Sequence, residues 1–567
     1  MKNLRFLKVK NFVNAPGQTP PYTMDDGAAS GRFVSPHRPL ELAPLDDCPE
    51  RCNGNGVCTS TGCACVGLKR WIGGMSCGFR SGAANKGLCH VGCSGRGVCK
   101  NGFCHCVPGY WGMDCSHSTG PGGKPQLWDG HNADPNDIRI FVYDFGATGH
   151  HLVMQGVIRH QGVGDAGETG DFGRYTEFAL RERIMASRFR TLDPLEADFF
   201  YIPNQNSWIS WAVVREVMTR WGHFNRTGGR GHLFFSSQDY GMFETFRYWP
   251  TSLEKAYPEE PAVNIPALMK EVVLMQHMGQ AVGTKSRGTA RFRGCHRPDH
   301  DIVVPPPQTI SHNEIAEHVP YVNKLLPKEK RSLVFFAGST LLNARAEDNV
   351  RKAVHDALVG SSRAADVVFH AKGTTREGYL RGMREATFCL GLPGQGGGWG
   401  RRSTFCALFG SVPVEVQDNR AFAFSTLFAP VSIAVNVPEE KIPQIEEIMR
   451  SIPQKEVEFK KKNLDCVWQA WLWGSIFGAS GDEETGDMDT FGVLVEELRR
   501  RKEKSGFWAE QPGIGGHPPL PDACAVMDQI RKRPKGDRRF ADQARPLTSA
   551  GAMRPVSSPA VQWVETV

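Results

Sequence analysis

Residues 187–203 read Ser187-Arg-Phe-Arg-Thr-Leu-Asp-Pro-Leu-Glu-Ala-Asp-Phe-Phe-Tyr-Ile-Pro203. Upstream, residues 175–190 (YTEFALRERIMASRFR) place apolar side chains at helical spacing, and Asp193-Pro194 breaks that helix. The run from Ala197 to Pro203 is short, aromatic and apolar, and reads as a strand. Working outward, Ile138 to Tyr143 is a second such run, ended by Asp144, and Trp208 to Trp221 has helical spacing. His232-Leu-Phe-Phe-Ser236 is a third strand. Strands alternating with helices predict a parallel sheet covered by helices.

The pattern restarts after Pro305-Pro306-Pro307. Ser332 to Ala337, Ala364 to Phe369, Phe388 to Gly391 and Val412 to Val416 read as strands, with helices over Thr374–Glu385 and Arg402–Phe409. The fold class is therefore α/β, two Rossmann-like domains in tandem, with a ligand cleft expected at their junction.

A different chemistry precedes them. Twelve of the 17 cysteines lie in residues 48–115 and repeat one spacing twice. Cys48, Cys52, Cys58, Cys63, Cys65 and Cys77 form the first set; Cys89, Cys93, Cys99, Cys104, Cys106 and Cys115 form the second. Segments this short bury too little apolar surface to fold alone, so cross-links must supply the stability, about 2–4 kcal/mol each. Disulfides imply an oxidising compartment and passage through the secretory pathway. The competing reading is zinc, but zinc sites favour Cys-x2-Cys pairs, and His90 and His105 occupy no repeated position.

The 567 residues divide into an unstructured segment 1–45, a duplicated cysteine module 46–116, a Gly/Pro/Ser-rich linker 117–137, an N-terminal half 138–310, a C-terminal half 311–500 and a disordered basic tail 501–567. The net charge of +7 is modest, and the basic runs at 460–462 and 531–539 read as solvated surface rather than a nucleic-acid site. No run of eighteen apolar residues spans a membrane. The start, MKNLRFLKVKNFVNAP, lacks a signal-peptide core, so either targeting is cryptic or, the favoured reading, the true N-terminus lies upstream, with membrane association only through such a missing anchor. Asn225-Arg226-Thr227 is a glycosylation acceptor, in keeping with secretion.

Family resemblances join these features. The cysteine spacing, with Gly54-x-Gly-Val-Cys58 and Gly95-x-Gly-Val-Cys99, resembles tenascin-type EGF-like repeats. That resemblance implies the bonds Cys48–Cys58, Cys52–Cys63, Cys65–Cys77, Cys89–Cys99, Cys93–Cys104 and Cys106–Cys115. Further along lie, in order, Tyr143-Asp144, the 187–203 segment, Asn225 to Phe235, Cys295 to Pro305, Arg331 to Gly338, Tyr379 to Leu390 and Gly410 to Val414. This string resembles the exostosin-type glycosyltransferases, especially their plant and green-algal members, over about residues 138–475. The resemblance implies the GT-B fold, a nucleotide-sugar donor (UDP-linked), inversion at the anomeric carbon, no metal and no cofactor.

Sugar transfer needs a base for the acceptor hydroxyl and positive charge for the departing diphosphate. Asp239, just beyond the third strand, is the preferred base; His232 is second, with a structural hydrogen-bonding role as its alternative, and Glu177 a distant third that otherwise reads as a helix-surface charge. For the donor, Arg402 opens a helix after the glycine-rich stretch 394–400, and Gly338 and Ser339 form the turn after a strand. Arg331 is either a donor ligand or a surface cation, and Asp418 either faces the cleft or forms a turn. Relative to the resembled family, Phe405 stands where a glutamate is usual, Ser411 where a cysteine is common, and Gly231 where an aspartate commonly precedes the histidine. A phenylalanine accepts no hydrogen bond, so ribose recognition must use other groups. Cys295, Cys389, Cys406 and Cys466 either pair or remain buried thiols. The function expected is an inverting glycosyltransferase of the Golgi lumen acting on a cell-wall polysaccharide or glycoprotein glycan, with a protein partner through the repeats. The alternatives are a catalytically weak carbohydrate-binding or adhesion protein and a cytosolic zinc regulator.

Overall fold

A computed structural model of the chain describes residues 56–59, 62–65, 72–73, 79–80, 93–127, 136–143, 176–203, 214, 217, 221–237, 241, 269–284, 294–306, 315–326, 329–340, 349–361, 365–393, 401–473, 488–503 and 523–533, apart from gaps of one or two residues inside these ranges. Two parallel sheets organise them. The first contains Ile140–Val142 (β1), Arg190–Thr191 (β2), Phe199–Tyr201 (β3), His232–Ser236 (β4), Val273–Gln276 (β5) and Ile302–Val303 (β6), in the order β2-β1-β3-β4-β5-β6. The second contains Ser332–Ala337 (β7), Val367–His370 (β8), Ala386–Gly391 (β9), Val412–Glu415 (β10) and Val435–Asn436 (β11), in the order β8-β7-β9-β10-β11. Every pairing within both sheets is parallel. Each sheet steps outward from its first strand in both directions. This creates a switch point beside β1 and another beside β7, where ligands of open α/β sheets bind at the carboxyl edge.

Helices cover both faces, which is why the strands read as unbroken apolar runs: all three residues of β3 and all five of β4 are buried. The longer helices include Thr176–Met185 (α1), Gly222–Thr227 (α2), Val350–Ser361 (α3), Arg376–Glu385 (α4), Arg401–Leu408 (α5), Ile445–Ser451 (α6), Gln454–Val467 (α7), Thr490–Glu503 (α8) and Ala523–Lys532 (α9). Thr375 caps α4 by accepting the Gly378 amide, and the helix runs straight into β9 at Ala386. The fold is the expected α/β pair of Rossmann-like domains. The helix expected over Trp208–Trp221 lies largely outside the described residues.

Three boundaries differ from the sequence reading. The stretch expected to be a linker is folded: His117–Thr119 pairs with Tyr110–Trp111 and with Pro125–Leu127 in a three-stranded antiparallel sheet. A buried contact anchors it, because Arg190 of β2 donates to Asp114 at 2.8 Å and to Ser116 at 2.9 Å. Burial pushes the Asp114 carboxyl up, but Arg190, His117 and Ser116 outweigh it and hold it below the usual range. Second, α8 returns across the first sheet, although its residues to 500 are expected in the C-terminal half and the last three in the disordered tail. Arg499 makes a two-point contact with Asp137 (2.7 and 2.8 Å), Lys502 reaches Asp198 at 3.0 Å, and Arg501 donates to the His300 carbonyl at 2.6 Å. Third, the tail expected to be disordered contains α9. Its Ala523, Val526, Met527 and Ile530 are buried at helical spacing, and Cys524 is bonded to Cys466.

In the cysteine module, Gly56–Thr59 pairs with Gly62–Cys65 and Gly97–Lys100 with Phe103–Cys106, both antiparallel. The register is the same in both copies, Cys58 facing Cys63 and Cys99 facing Cys104. Cys93 is bonded to Cys104 and Cys106 to Cys115. The other four bonds expected there involve side chains outside the described residues. Cys389 and Cys406 form a bond joining β9 to α5, and Cys295 is a buried free thiol. Among the described residues no helix is long and apolar enough to cross a membrane.

Candidate functional site

Positive charge gathers at the carboxyl edge of the second sheet. Arg402, in the first turn of α5, donates from Nε to the Ala337 carbonyl at 3.0 Å, and its guanidinium lies 4.6 Å over the Phe336 ring. Arg351, in the first turn of α3, donates from Nε to the Pro393 carbonyl and from Nη1 to the Ser339 carbonyl, both at 2.9 Å. Asn349 sets the start of α3, its side chain accepting the Lys352 amide at 3.1 Å and donating to the Thr340 carbonyl at 2.7 Å. Gly338 is needed where it stands, because a Cβ there would collide with the Arg402 guanidinium.

Neither guanidinium has a carboxylate partner among the described residues. Burial, then the neighbouring Arg402, lowers Arg351 to about 10, and burial lowers Arg402. Two half-desolvated cations side by side favour an anion between them, and the first turns of α3 and α5 add helix-terminal N–H groups. A phosphate or diphosphate meets that demand.

Glu415 completes the edge. The pairing of Phe335 with Cys389 and of Gly391 with Glu415 sets Ala337, Gly391 and Glu415 in one row across β7, β9 and β10. Burial pushes the Glu415 carboxyl up to about 7, against the pull of Ser403 and Arg420. Phe405, by contrast, is buried in an aromatic cluster, 5.6 Å from the Tyr379 ring and 5.9 Å from Phe409.

Other expected residues lie elsewhere. Arg331 precedes β7, at the opposite edge from Gly338; its side chain is 68 % exposed and faces Glu385 at 3.7 Å. It is a surface cation, because a residue before a strand is carried to the amino edge. Asp418 accepts the Glu439 amide at 3.1 Å, and its carbonyl receives Gln280 of the first half at 3.3 Å, so it braces the junction. His232 is wholly buried: its ring stacks on Phe200 at 4.8 Å, and its Nε2 lies 2.6 Å from the Tyr143 hydroxyl. With Nδ1 donating to the Arg230 carbonyl at 3.3 Å, Nε2 accepts from Tyr143. Burial drives His232 down to about 3, so it is a core residue rather than a base. Glu177 is not a surface charge either; it is buried and accepts the Ser237 amide at 2.9 Å. Asp239 and residues 394–400 lie outside the described residues. Asn225 is exposed on α2.

The sequence reading missed Arg351. Its signal was position: a cation in the first turn of the helix that follows the first strand of a Rossmann-like unit. Among the described residues no group of three or more His, Cys, Asp or Glu is placed to hold a metal ion.

The Exostosin GT47 domain matches residues 135–452, more than half of the sequence. A probable glucuronosyltransferase of Oryza sativa subsp. japonica is 27 % identical over 310 residues, covering 51 % of this chain and 66 % of that protein. The probable beta-1,4-xylosyltransferase IRX10L of Arabidopsis thaliana is 25 % identical over 308 residues, again covering 51 % of this chain and 66 % of the relative. The matched part thus falls just short of two thirds of either relative.

Proposed function

This chain belongs to the exostosin GT47 family, and from that premise we propose that it moves a sugar from a nucleotide-sugar donor to a polysaccharide or glycoprotein glycan acceptor. One observation carries the reading: Arg351 and Arg402 converge without carboxylate partners at the carboxyl edge of the second sheet. They would hold the donor diphosphate and stabilise the charge that grows on it as the bond from the anomeric carbon to the diphosphate oxygen breaks. This makes the proposed site independent of a metal. The acceptor hydroxyl attacks from the opposite face, which inverts the anomeric carbon, and its proton passes to a carboxylate of the first half, for which Asp239 is the candidate.

The relatives' names, glucuronosyltransferase and beta-1,4-xylosyltransferase, favour a UDP-linked uronic acid or pentose and a wall polysaccharide acceptor. The disulfides of residues 93–115 and Cys466–Cys524 favour an oxidising compartment, here the Golgi lumen. The matching hairpin registers of the two cysteine repeats support EGF-like modules, which supply a surface for a protein partner.

The test is donor hydrolysis and transfer by the purified full chain across UDP- and GDP-sugars. Turnover on at least one donor is expected. Nucleotide-sugar binding with no turnover on any of them would assign a carbohydrate-binding protein instead. Asp239→Asn should cut turnover by about 10²–10⁴-fold with little change in donor affinity; an unchanged rate removes Asp239 as the base.

A further inference from the structure

Helix α9 touches both lobes. Near its start it is bonded to the second lobe, through Cys524 to Cys466 of α7. Helix α7 is itself fixed to that lobe, because Lys460 donates to the Ala434 carbonyl at 3.1 Å and Asn463 to the Ser432 carbonyl at 3.0 Å. The far end of α9 meets the first lobe. Arg533 donates to the Glu496 carboxylate of α8 at 3.2 and 3.3 Å, and Gln529 accepts from Arg500 at 2.8 Å. Ile530 and Arg533 share a cavity wall with Arg188 and Phe189. Helix α8 in turn rests on Asp137 and Asp198, at the amino edge of the first sheet. One short helix thus runs from a covalent anchor on one lobe to polar and apolar contacts on the other.

Apart from the bond, little holds α9 down. A helix of 10 residues is marginal by itself. It buries four side chains, and an ion pair such as Arg533–Glu496, whose arginine is 37 % exposed, adds little. The Cys466–Cys524 bond spans a sequence separation of 58, and a link across so long a loop strongly favours the docked state. The bond is also within reach of solvent. Cys466 and Cys524 are each partly exposed, whereas Cys389 and Cys406 are wholly buried. Thiol–disulfide exchange needs a sulfur that a thiolate can reach, so the first bond is open to exchange and the second is shielded.

We propose that α9 is a thiol-released strap: while Cys466 and Cys524 are bonded it ties the lobes together, and a dithiol frees it. One thiolate of the dithiol attacks a sulfur of the pair, and the S–S bond breaks onto the other sulfur, which takes up a proton. The second thiolate of the dithiol then displaces the remaining cysteine, which is protonated in turn. Two electrons pass to the protein, leaving two cysteine thiols and an oxidised dithiol. Release withdraws Arg533 and Ile530 from α8 and loosens its hold on the first lobe. The strap is independent of the donor site at Arg351 and Arg402.

Hydrogen exchange on the full chain across a graded series of dithiothreitol tests it, with alkylation and mass spectrometry reading which cysteines are free. Cys466 and Cys524 should be labelled at concentrations that leave Cys389 and Cys406 bonded. The amides of α9 should then exchange at least about tenfold faster, those of α8 by a smaller factor, and those of β3, β4, β7 and β9 at an unchanged rate. Cys524→Ala should show the reduced pattern without dithiothreitol. Should that variant not fold, the wild-type chain before and after reduction carries the test alone. Equal α9 exchange in the two states overturns the strap, as does a Cys466–Cys524 bond no more reducible than Cys389–Cys406. Loss of protection throughout both sheets on cutting this bond overturns it as well, because the bond would then staple the whole fold.

Discussion

The two sheets share one topology and differ at their carboxyl edges. In the described part of the first, Glu177 takes the Ser237 amide, and deeper in the sheet Tyr143 bonds to His232, whose ring stacks on Phe200. The second brings Arg351 and Arg402 together on backbone carbonyls, with no carboxylate partner for either among the described residues. One scaffold is used twice, and in the second copy two cations gather at the edge where a ligand would sit. What a site does is thus written in which polar groups the fold declines to satisfy, not in strand order.

The largest effect expected from this contrast is at Arg402. Arg402→Ala should lower turnover by about 10²–10³-fold, read as steady-state rate and nucleotide affinity, because the guanidinium faces charge that develops during reaction. Arg402→Lys should restore little of it, since an ammonium lacks the planar fork. Wild-type rates in Arg402→Ala would break the comparison at its root.

A smaller effect, on stability alone, belongs to the first sheet. Tyr143→Phe strands His232 Nε2 and should cost about 1–3 kcal/mol in urea denaturation, with turnover per folded molecule unchanged. The double variant Tyr143→Phe, His232→Phe removes both polar partners and should recover most of that loss. A drop in turnover in either would show that this pair does more than hold the core.

The third effect is a slope. His232 and His117 are both lowered to about 3, chiefly by burial, so the unfolded chain binds protons that the folded chain refuses. Their contribution is complete above the ordinary histidine value of about 6.5 and is lost as pH falls from there towards 3, at up to about 1.4 kcal/mol per pH unit for each ring. Denaturation midpoints across pH 7 to 4 should show this, and the double variant should lose one ring's share of it.

Much of this was legible in the residues, for a physical reason. Strands buried on both faces cannot hide: Ser332–Ala337 and His232–Ser236 stand as apolar runs bounded by polar or glycine residues. Ile302–Val303 escaped because two residues carry no period, and α9 because its four buried side chains sit in a basic, proline-rich stretch. Arg402 was found through its neighbours in sequence. Arg351 was not, since a lone cation in the first turn of a helix has the same spelling whether it meets solvent or a ligand. Arg331 and His232 misled for the converse reason: a residue's place before or at the start of a strand fixes its depth, and depth decided against both.

The return of α8 across the first sheet has one more consequence. Arg499, Arg501 and Lys502 bind Asp137, the His300 and Asp301 carbonyls, and Asp198, yet they arrive in the chain after the whole second sheet. The first lobe cannot finish its surface until the ribosome has nearly finished the polypeptide. Gene fragments that end between the lobes should therefore yield an N-terminal piece with an uncovered flank, and the two halves behave as one inheritance unit rather than as interchangeable parts.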